Sequence, residues 1–335
     1  MRIGTRILSA LALCAVASAH AAEPLKIRHG WVAITNTLSP MIFAKPDILP
    51  HYGKSYVVVP MHFAGTTPEL TALATGELDI VTIAYSSLAI AVENAHLDDI
   101  RVVADGFQDG VGNYVSSPYI VRNDGSIRTI EDLKGKVLLV NSIGTAVDIG
   151  ARALLKAHHL EAGRDYTVVE AEFPVMGAML LQKKADIIAD VPPFAYESHL
   201  KAGSRVLFTM KDAMGPSQMI MLAARAPFLA KNRAALDDFF ADLATGLHWM
   251  LNPKNREAAV KFASEQSKIP LARLEPYYLT NRDYYRDPNG IPNVAALERN
   301  IATQQKLGFI KSGFDVKKYV DLSFMERGAK EASAH

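Results

Sequence analysis

One short turn has the composition of an anion-binding site. Residues 141–145 (NSIGT) join a run of four apolar residues, Val137–Val140, which predicts a buried strand, to residues 147–155, whose apolar spacing predicts a helix. The turn has two hydroxyls, on Ser142 and Thr145, and no basic residue. Backbone N–H groups and the positive end of a helix dipole can bind an anion without a lysine. The turn therefore predicts an anion site built from neutral donors.

Three other predicted strands end in similar residues. These are Trp31, Thr35 and Asn36 after the first strand, Gly65, Thr66 and Thr67 after the second, and Tyr85, Ser86 and Ser87 after the third. Taken singly, each hydroxyl is more simply explained as a helix cap, because Ser and Thr are preferred at that position. Taken together they favour a ligand site, since ligands of open α/β sheets bind beyond the carboxyl ends of the strands.

Motifs of common enzymes are absent from the sequence. It has no G-x-S-x-G, no Walker phosphate loop and no H-E-x-x-H. Gly110 and Gly112 begin a dinucleotide-binding pattern, but Val115 occupies the place of its third glycine. His158 and His159 are adjacent, so on a helix they point apart and cannot share a metal ion. We therefore predict no cofactor, no metal site and no enzymatic activity.

The elements that must position these residues alternate along the chain. Ten short apolar strands between residues 25 and 224 alternate with helical stretches, and the rest is mostly helical, which predicts an α/β fold with largely parallel sheets. The pattern restarts near residue 117, so we predict two similar lobes, the second inserted in the first. The boundaries are 23–113 and 217–335 for the first lobe and 114–216 for the second. Glycine-containing stretches at 108–117 and 212–218 predict a hinge.

The N-terminus and the overall charge predict an exported protein. Arg2 and Arg6, the apolar residues 7–17 and the A-x-A site at residues 19–21 are typical of a cleaved signal peptide, residues 1–22. The single cysteine, Cys14, lies within it. Without Arg2 and Arg6 the basic residues fall from 36 to 34, against 35 acidic ones, so nothing indicates binding to nucleic acid or to an anionic membrane.

A longer stretch of the sequence resembles a known family. The segment GTTPELTALATGELDIVTIAYSSLAIA and, further on, SIRTIEDLKGKVLLVNSIGTAVDIGARALLKAHHLEAGRDYTVV are similar to the periplasmic substrate-binding proteins of sulfonate, taurine and nitrate ABC transporters. The similarity covers residues 25–231 and is most specific in the run S-I-x-T-I-E-D-L-K-G-K-V. It implies a two-lobed type II periplasmic binding protein, each lobe a mostly parallel sheet flanked by helices, with a helical C-terminal region.

By position, the resemblance implies ligand contacts in both lobes. They comprise Trp31, Thr35, Asn36, Gly65, Thr66, Thr67, Tyr85, Ser86 and Ser87 in the first lobe, Phe107 and Tyr114 near the hinge, and Ser142, Ile143, Gly144, Thr145, Ala146, Asp190 and Pro192 in the second. The segment ADVPPF departs from the family pattern, because Val191 and Pro192 replace its tryptophan and acid. Asp190 lies one position away from the place where the family has this acid. Because the acid itself is missing, the resemblance disfavours a ligand with an amine, such as taurine.

The predicted function is capture of a small organic anion, a sulfonate or a carboxylate with aromatic acids included, by a monomer that delivers it to an inner-membrane ABC permease. Two alternatives stay open. One is an enzyme of the related thiamine-pyrimidine-forming class, although that class relies on a cysteine-rich motif that this chain lacks. The other is a ligand-sensing module for a membrane receptor, which the sequence does not separate from transport.

Overall fold

The computed structural model describes residues 23–32, 35–63, 65–311 and 313–334, and the predicted signal peptide (residues 1–22) lies outside them. Two five-stranded sheets form the framework. The strands are β1 (Leu25–Trp31), β2 (Tyr56–His62), β3 (Ile80–Ala84), β4 (Ile100–Asp109), β5 (Pro118–Arg122), β6 (Val137–Val140), β7 (Thr167–Glu170), β8 (Ile187–Ala189), β9 (Ser204–Thr209) and β10 (Ser217–Arg225).

Thirteen α-helices are present in the described part of the chain. They are α1 (Ser39–Phe43), α2 (Thr66–Thr75), α3 (Tyr85–Ala95), α4 (Ala146–Ala157), α5 (Phe173–Leu181), α6 (Ser198–Gly203), α7 (Met210–Met214), α8 (Ala226–Lys231), α9 (Arg233–Leu251), α10 (Arg256–Ser267), α11 (Leu271–Leu274), α12 (Val294–Leu307) and α13 (Ser323–Ala332). Short 3-10 helices occur at Pro46–Ile48, Glu131–Leu133, Phe194–Tyr196, Pro253–Asn255 and Val316–Tyr319. None of the helices within these ranges combines the length and apolar character needed to cross a bilayer.

The strand order shows how the two lobes are connected. The first sheet has the order β2-β1-β3-β10-β4 and the second β7-β6-β8-β5-β9. In each sheet four strands run in one direction, and β10 or β5 is antiparallel to both of its neighbours. Each reversed strand, β5 or β10, directly follows a crossing from the other lobe. It therefore begins on the side of its sheet that faces the end of the preceding strand. The predicted two-lobed α/β fold with mostly parallel sheets is confirmed, and each sheet contains one reversed strand.

The chain passes twice between the sheets, through residues 110–117 after β4 and residues 215–216 before β10. A hydrophobic core continues from the first sheet into the second and includes Tyr85, Phe107, Tyr119 and Met210. Helix α12 contacts both α3, beside the first sheet, and α4, beside the second. Helix α12 of the C-terminal region therefore packs against helices of both lobes.

The contact between α13 and α9 allows no side chain at Gly328. A Cβ atom added there would lie 2.6 Å from the Phe240 carbonyl oxygen, and a backbone atom cannot move aside. We expect Gly328→Ala to lower the free energy of unfolding by about 1–3 kcal/mol, the usual cost of overpacking. The measurement is chemical denaturation.

Gly177 in α5 provides the control for this variant. A Cβ atom there would lie 3.5 Å from Leu200 side-chain carbons, an ordinary contact. Because alanine favours a helix by about 1 kcal/mol over glycine, Gly177→Ala should be neutral or stabilising. Equal losses in the two variants would contradict the close approach of α13 to α9.

Candidate functional site

The candidate site lies where strands of both sheets end near the crossings. Strands β1, β2 and β3 end at Trp31, His62 and Ala84, and helices α2 and α3 begin shortly after β2 and β3. In the second sheet, β6 leads into α4. Strand β4 shares its direction with these first-sheet strands and runs into the first crossing. The carboxyl ends of these strands therefore lie on the side where the lobes join, which is the side where α/β sheets bind ligands.

A hydrogen bond joins the first turns of α3 and α4 across the two lobes. The Tyr85 hydroxyl donates to the Ala146 carbonyl oxygen at 3.0 Å, and both residues are buried. Two of the predicted contact residues, one from each lobe, are thus brought together. The bond uses the hydroxyl proton of Tyr85, so this proton is not available to a ligand in this conformation.

The turn at residues 141–145 is occupied by a carboxylate of the protein itself. Glu170 Oε1 accepts hydrogen bonds from the Ser142 hydroxyl at 2.8 Å and from the Ile143 N–H at 2.6 Å. These two donors hold the pKa of the exposed Glu170 carboxyl below its usual value, the Ile143 N–H contributing most. The turn therefore holds a carboxylate through neutral donors, as its composition predicts, but the carboxylate is internal.

A second carboxylate binds the same turn from α4. Asp148, fully buried, accepts the Gly144 N–H at 2.8 Å and pairs with Arg152 Nε at 2.8 Å. The Thr145 hydroxyl has two acceptors in reach, the Ser142 carbonyl oxygen at 2.7 Å and Asn141 Oδ1 at 2.9 Å, and no side chain in the described part of the chain caps α4. In this conformation the Ile143 and Gly144 N–H groups are therefore bonded to carboxylates of the protein itself. The simpler alternative, that Ser142 or Thr145 caps the helix, is wrong.

The residues after β1 are ordered by contacts with other elements. The Trp31 and His62 rings, at the ends of β1 and β2, lie 4.5 Å apart between centroids. The carbonyl oxygens of Thr35 and Asn36 accept hydrogen bonds from Arg286 Nη2 at 3.2 and 2.9 Å. The turn after β1 is thus held from the C-terminal region.

The first turns of α2 and α3 carry the other predicted contacts of the first lobe. Gly65 precedes α2 in an extended conformation, and Thr66 and Thr67 begin the helix without capping it. Ser86 is buried and Ser87 is half-buried at the start of α3. The Ser86 carbonyl oxygen accepts a hydrogen bond from Gln304 Nε2 at 2.9 Å. Simple capping by side chains is therefore wrong for α2 and α3 as well.

The two aromatic residues predicted to close over a ligand pack against the C-terminal region. The Phe107 ring is buried and stacks on Tyr284 with centroids 4.3 Å apart. The Tyr114 ring, 38% exposed, meets Tyr285 edge-on at 5.2 Å. Both aromatic residues therefore belong to the packing of the hinge in this conformation.

Asp190 directly follows β8 and is fully buried. Its Oδ1 accepts the Val191 N–H at 2.8 Å, while Oδ2 has no partner within the described ranges. Burial raises the pKa of this carboxyl to about 7, against the lowering effect of the Val191 N–H. Pro192, also buried, precedes Pro193 through a cis peptide bond. Asp190 is thus a buried acid with unused hydrogen-bonding capacity at the end of a strand.

One buried pair has the residue types of a nucleophile and its base. The Ser39 hydroxyl lies 2.8 Å from His29 Nε2, but both side chains are in the core. Burial lowers the pKa of His29 to about 4, and its Nδ1 has no orienting partner among the residues described. Both side chains therefore belong to the packing of the core in this conformation. Across the described ranges, no group of three or more acidic or histidine side chains could hold a metal ion.

The sequence interpretation missed four residues that contact the predicted site: Glu170, Asp148, Arg286 and Gln304. Asp148 had a signal, because an acidic residue three positions after Thr145 is typical of the first turn of a helix. Glu170 follows from the pairing of β7 with β6, which places it opposite Val140. Arg286 and Gln304 lie in the C-terminal region and had no local signal.

Residues 20–264 match the NMT1-like family. No curated protein matches the chain. The structure is similar to the periplasmic aliphatic sulphonate-binding protein SsuA from Escherichia coli, with a TM-score of 0.71 and 17% identity over 89% of this chain and 92% of that one.

Two further solved structures share the fold. The periplasmic nitrate-binding protein NrtA from Synechocystis PCC 6803 has a TM-score of 0.71 and 14% identity, over 92% of this chain and 89% of that one. The desulfurization enzyme DSZB has a TM-score of 0.65 and 12% identity, over 91% of this chain and 99% of that one. These similarities confirm the fold expected from the resemblance. Because the family match spans well over half of the sequence, the chain belongs to the NMT1-like family.

Proposed function

We propose that the protein is a periplasmic solute-binding protein that captures a small organic anion between its two lobes and delivers it to an ABC permease. The observation that carries this proposal is the contact of Tyr85 with Ala146, which brings the predicted ligand-contact regions of both lobes together. Structures with this fold include a sulphonate-binding and a nitrate-binding protein, which supports an anion as the ligand. The predicted signal peptide supports export.

Glu170 supports the assignment of the anion to the turn at residues 141–145. Its carboxylate already accepts hydrogen bonds from Ser142 and Ile143, as a ligand carboxylate or sulfonate would. Glu170 is exposed at the end of an edge strand, so its side chain can rotate away. We infer that a bound anion replaces Glu170 at these donors.

We infer binding rather than catalysis, with the protein acting as a monomer. The fold alone does not decide this, since an enzyme shares it. The His29–Ser39 pair is buried and its base is weak, which supports a binding role. We also propose that lobe boundaries at 113–114 and 216–217 define the bodies that move when ligand binds.

A ligand screen tests the proposed function. The mature protein is titrated calorimetrically with ethanesulfonate, benzoate, nitrate and taurine, and its melting is followed with each. A ligand at a hundred times its dissociation constant should stabilise the protein by about 2.7 kcal/mol. We expect a response to ethanesulfonate or benzoate and a weaker one to taurine, whose amine has no matching acid. No response to any of the four would contradict an organic-anion-binding function.

Removing Glu170 should improve anion binding at the turn. Because Glu170→Ala deletes the competing carboxylate, we expect its affinity for the best anion of the screen to rise about tenfold, or 1.4 kcal/mol. Glu172→Ala is the matched control, since Glu172 is an exposed neighbour that makes no hydrogen bond to the turn. An equal affinity in Glu170→Ala and the parent protein would place the anion elsewhere.

A further inference from the structure

A five-residue segment of the C-terminal region, residues 283–287, lies against the first crossing between the lobes. The Val115 N–H donates to the Asp283 carbonyl oxygen at 3.2 Å, and the Gln108 N–H donates to the Tyr285 carbonyl oxygen at 2.7 Å. Gln108 and Tyr285 also form an isolated antiparallel bridge. The backbone of this segment is thus hydrogen-bonded to the backbone of the predicted hinge.

Tyr284 adds side-chain contacts to the same crossing. Its ring stacks on Phe107, and its hydroxyl oxygen lies 3.0 Å from that of Ser117, with which it shares a hydrogen bond. The Ser117 hydroxyl in turn donates to Asp109 at 2.6 Å, and all of these side chains are buried. A movement of Ser117 therefore acts directly on Tyr284.

Two residues further on, the same segment holds the turn after β1. Arg286 Nη2 donates to the carbonyl oxygens of Thr35 and Asn36, at 3.2 and 2.9 Å. Arg286 is itself fixed by an ion pair with Asp283 at 2.9 Å, and both side chains are 1% exposed. Among the residues that the structure describes, no other group donates to those two carbonyl oxygens. A buried planar guanidinium with several donors leaves the turn little freedom to move independently.

We propose that residues 283–287 couple the hinge to the turn after β1, with Tyr284 and Arg286 as positioning residues. Tyr284 moves with the crossing because it is hydrogen-bonded to Ser117. Arg286, two residues further on, then moves the turn at Thr35 and Asn36. Rotation of the second lobe then changes the placement of the turn, and a ligand that orders the turn favours one lobe orientation. This coupling goes beyond the proposed function, because it holds whichever ligand the protein binds.

Hydrogen exchange of the mature, ligand-free protein tests the coupling. Tyr284→Phe removes the hydroxyl at the crossing but keeps the stacked ring. We expect amide exchange to rise about threefold or more in a peptide covering residues 110–117. We expect the same rise in a peptide covering residues 35–43, to which the Tyr284 side chain makes no hydrogen bond among the residues described. Arg286→Lys keeps the charge opposite Asp283 but loses the planar group that spans two carbonyl oxygens, and it should raise exchange in both peptides.

The neighbouring tyrosine supplies the control. Tyr285 bonds to Gln108 through its backbone, so Tyr285→Phe should leave exchange in both peptides unchanged. Exchange of residues 80–84 in β3 should stay constant in every variant, which separates local coupling from global destabilisation. A rise confined to residues 110–117 in Tyr284→Phe, no rise at all, or an equal rise in Tyr285→Phe would overturn the proposal. Because no ligand is present, the result is independent of the ligand screen.

Discussion

Replacing Asp283 by alanine is expected to lower the free energy of unfolding by about 3–5 kcal/mol, the usual cost of leaving one member of a buried ion pair uncompensated. Asp283 and Arg286 are almost completely buried and lie 2.9 Å apart. The substitution also removes the acceptor of the Leu279 and Tyr284 N–H groups. Urea denaturation of the parent and the variant measures the loss.

An exposed ion pair of the same residue types provides the control. Asp237 and Arg327 also form a short pair, but their side chains are 35% and 41% exposed, so Asp237→Ala should cost less than about 1 kcal/mol. Combining Asp283→Ala with Arg286→Met should recover part of the loss, because the uncompensated charge is gone. If Asp283→Ala and Asp237→Ala lower the free energy of unfolding equally, burial does not determine how much the Asp283–Arg286 pair contributes to stability.

Glu69 should make the protein less stable as the pH rises from about 4.5 to about 8. It lies in the first turn of α2, fully buried, where burial raises the pKa of its carboxyl to about 8 despite hydrogen bonds from Thr82. Between these pH values the unfolded chain releases the proton and the native protein retains it, so the free energy of unfolding falls with rising pH. Each pH unit in this window corresponds to about 1.4 kcal/mol, so the expected loss is several kcal/mol.

Glu69→Gln isolates this contribution from those of other groups. The amide keeps an acceptor for the Thr82 N–H and cannot ionise, so the variant should lose less stability than the parent between pH 5 and pH 8.5. Denaturation curves at intervals of half a pH unit give the difference between the two proteins. Parallel pH profiles for the parent and Glu69→Gln would contradict a protonated Glu69 at neutral pH.

The fold could be predicted because its signals are local. The apolar runs and the turn residues between them identified the strands, and the restart near residue 117 identified the second lobe. The reversal of β5 and β10 carries no local signal, since both look like any other buried strand. Strands β7 and β8 are also shorter than the apolar runs suggest, Thr167–Glu170 and Ile187–Ala189. Strand β7 ends where its parallel neighbour β6 ends, since Thr167–Glu170 pairs with Val137–Val140 along its whole length.

The candidate site was harder to predict because its contacts join residues that are far apart in the sequence. The turn at residues 141–145 was recognised from its composition, but Glu170, which occupies it, is 28 positions from Ser142. Arg286 reaches Asn36 across 250 positions. Composition can indicate that a turn has free donors, whereas only the paired strands and the C-terminal segment show what those donors bind.

The position of β10 has a consequence for the order in which the lobes can fold. The second sheet is continuous in the sequence, so its strands, from Pro118–Arg122 to Ser204–Thr209, can pair as soon as they have been synthesised. The first sheet lacks its fourth strand until the chain reaches residue 225, because Ile220 must pair with Ala84 and Phe107. Until then β3 and β4 present unpaired edges in the nascent chain, which is the condition under which strands join the wrong partner. The lobe that comes later in the sequence can therefore complete its sheet first, whereas the sheet of the first lobe is complete only once β10 has been synthesised.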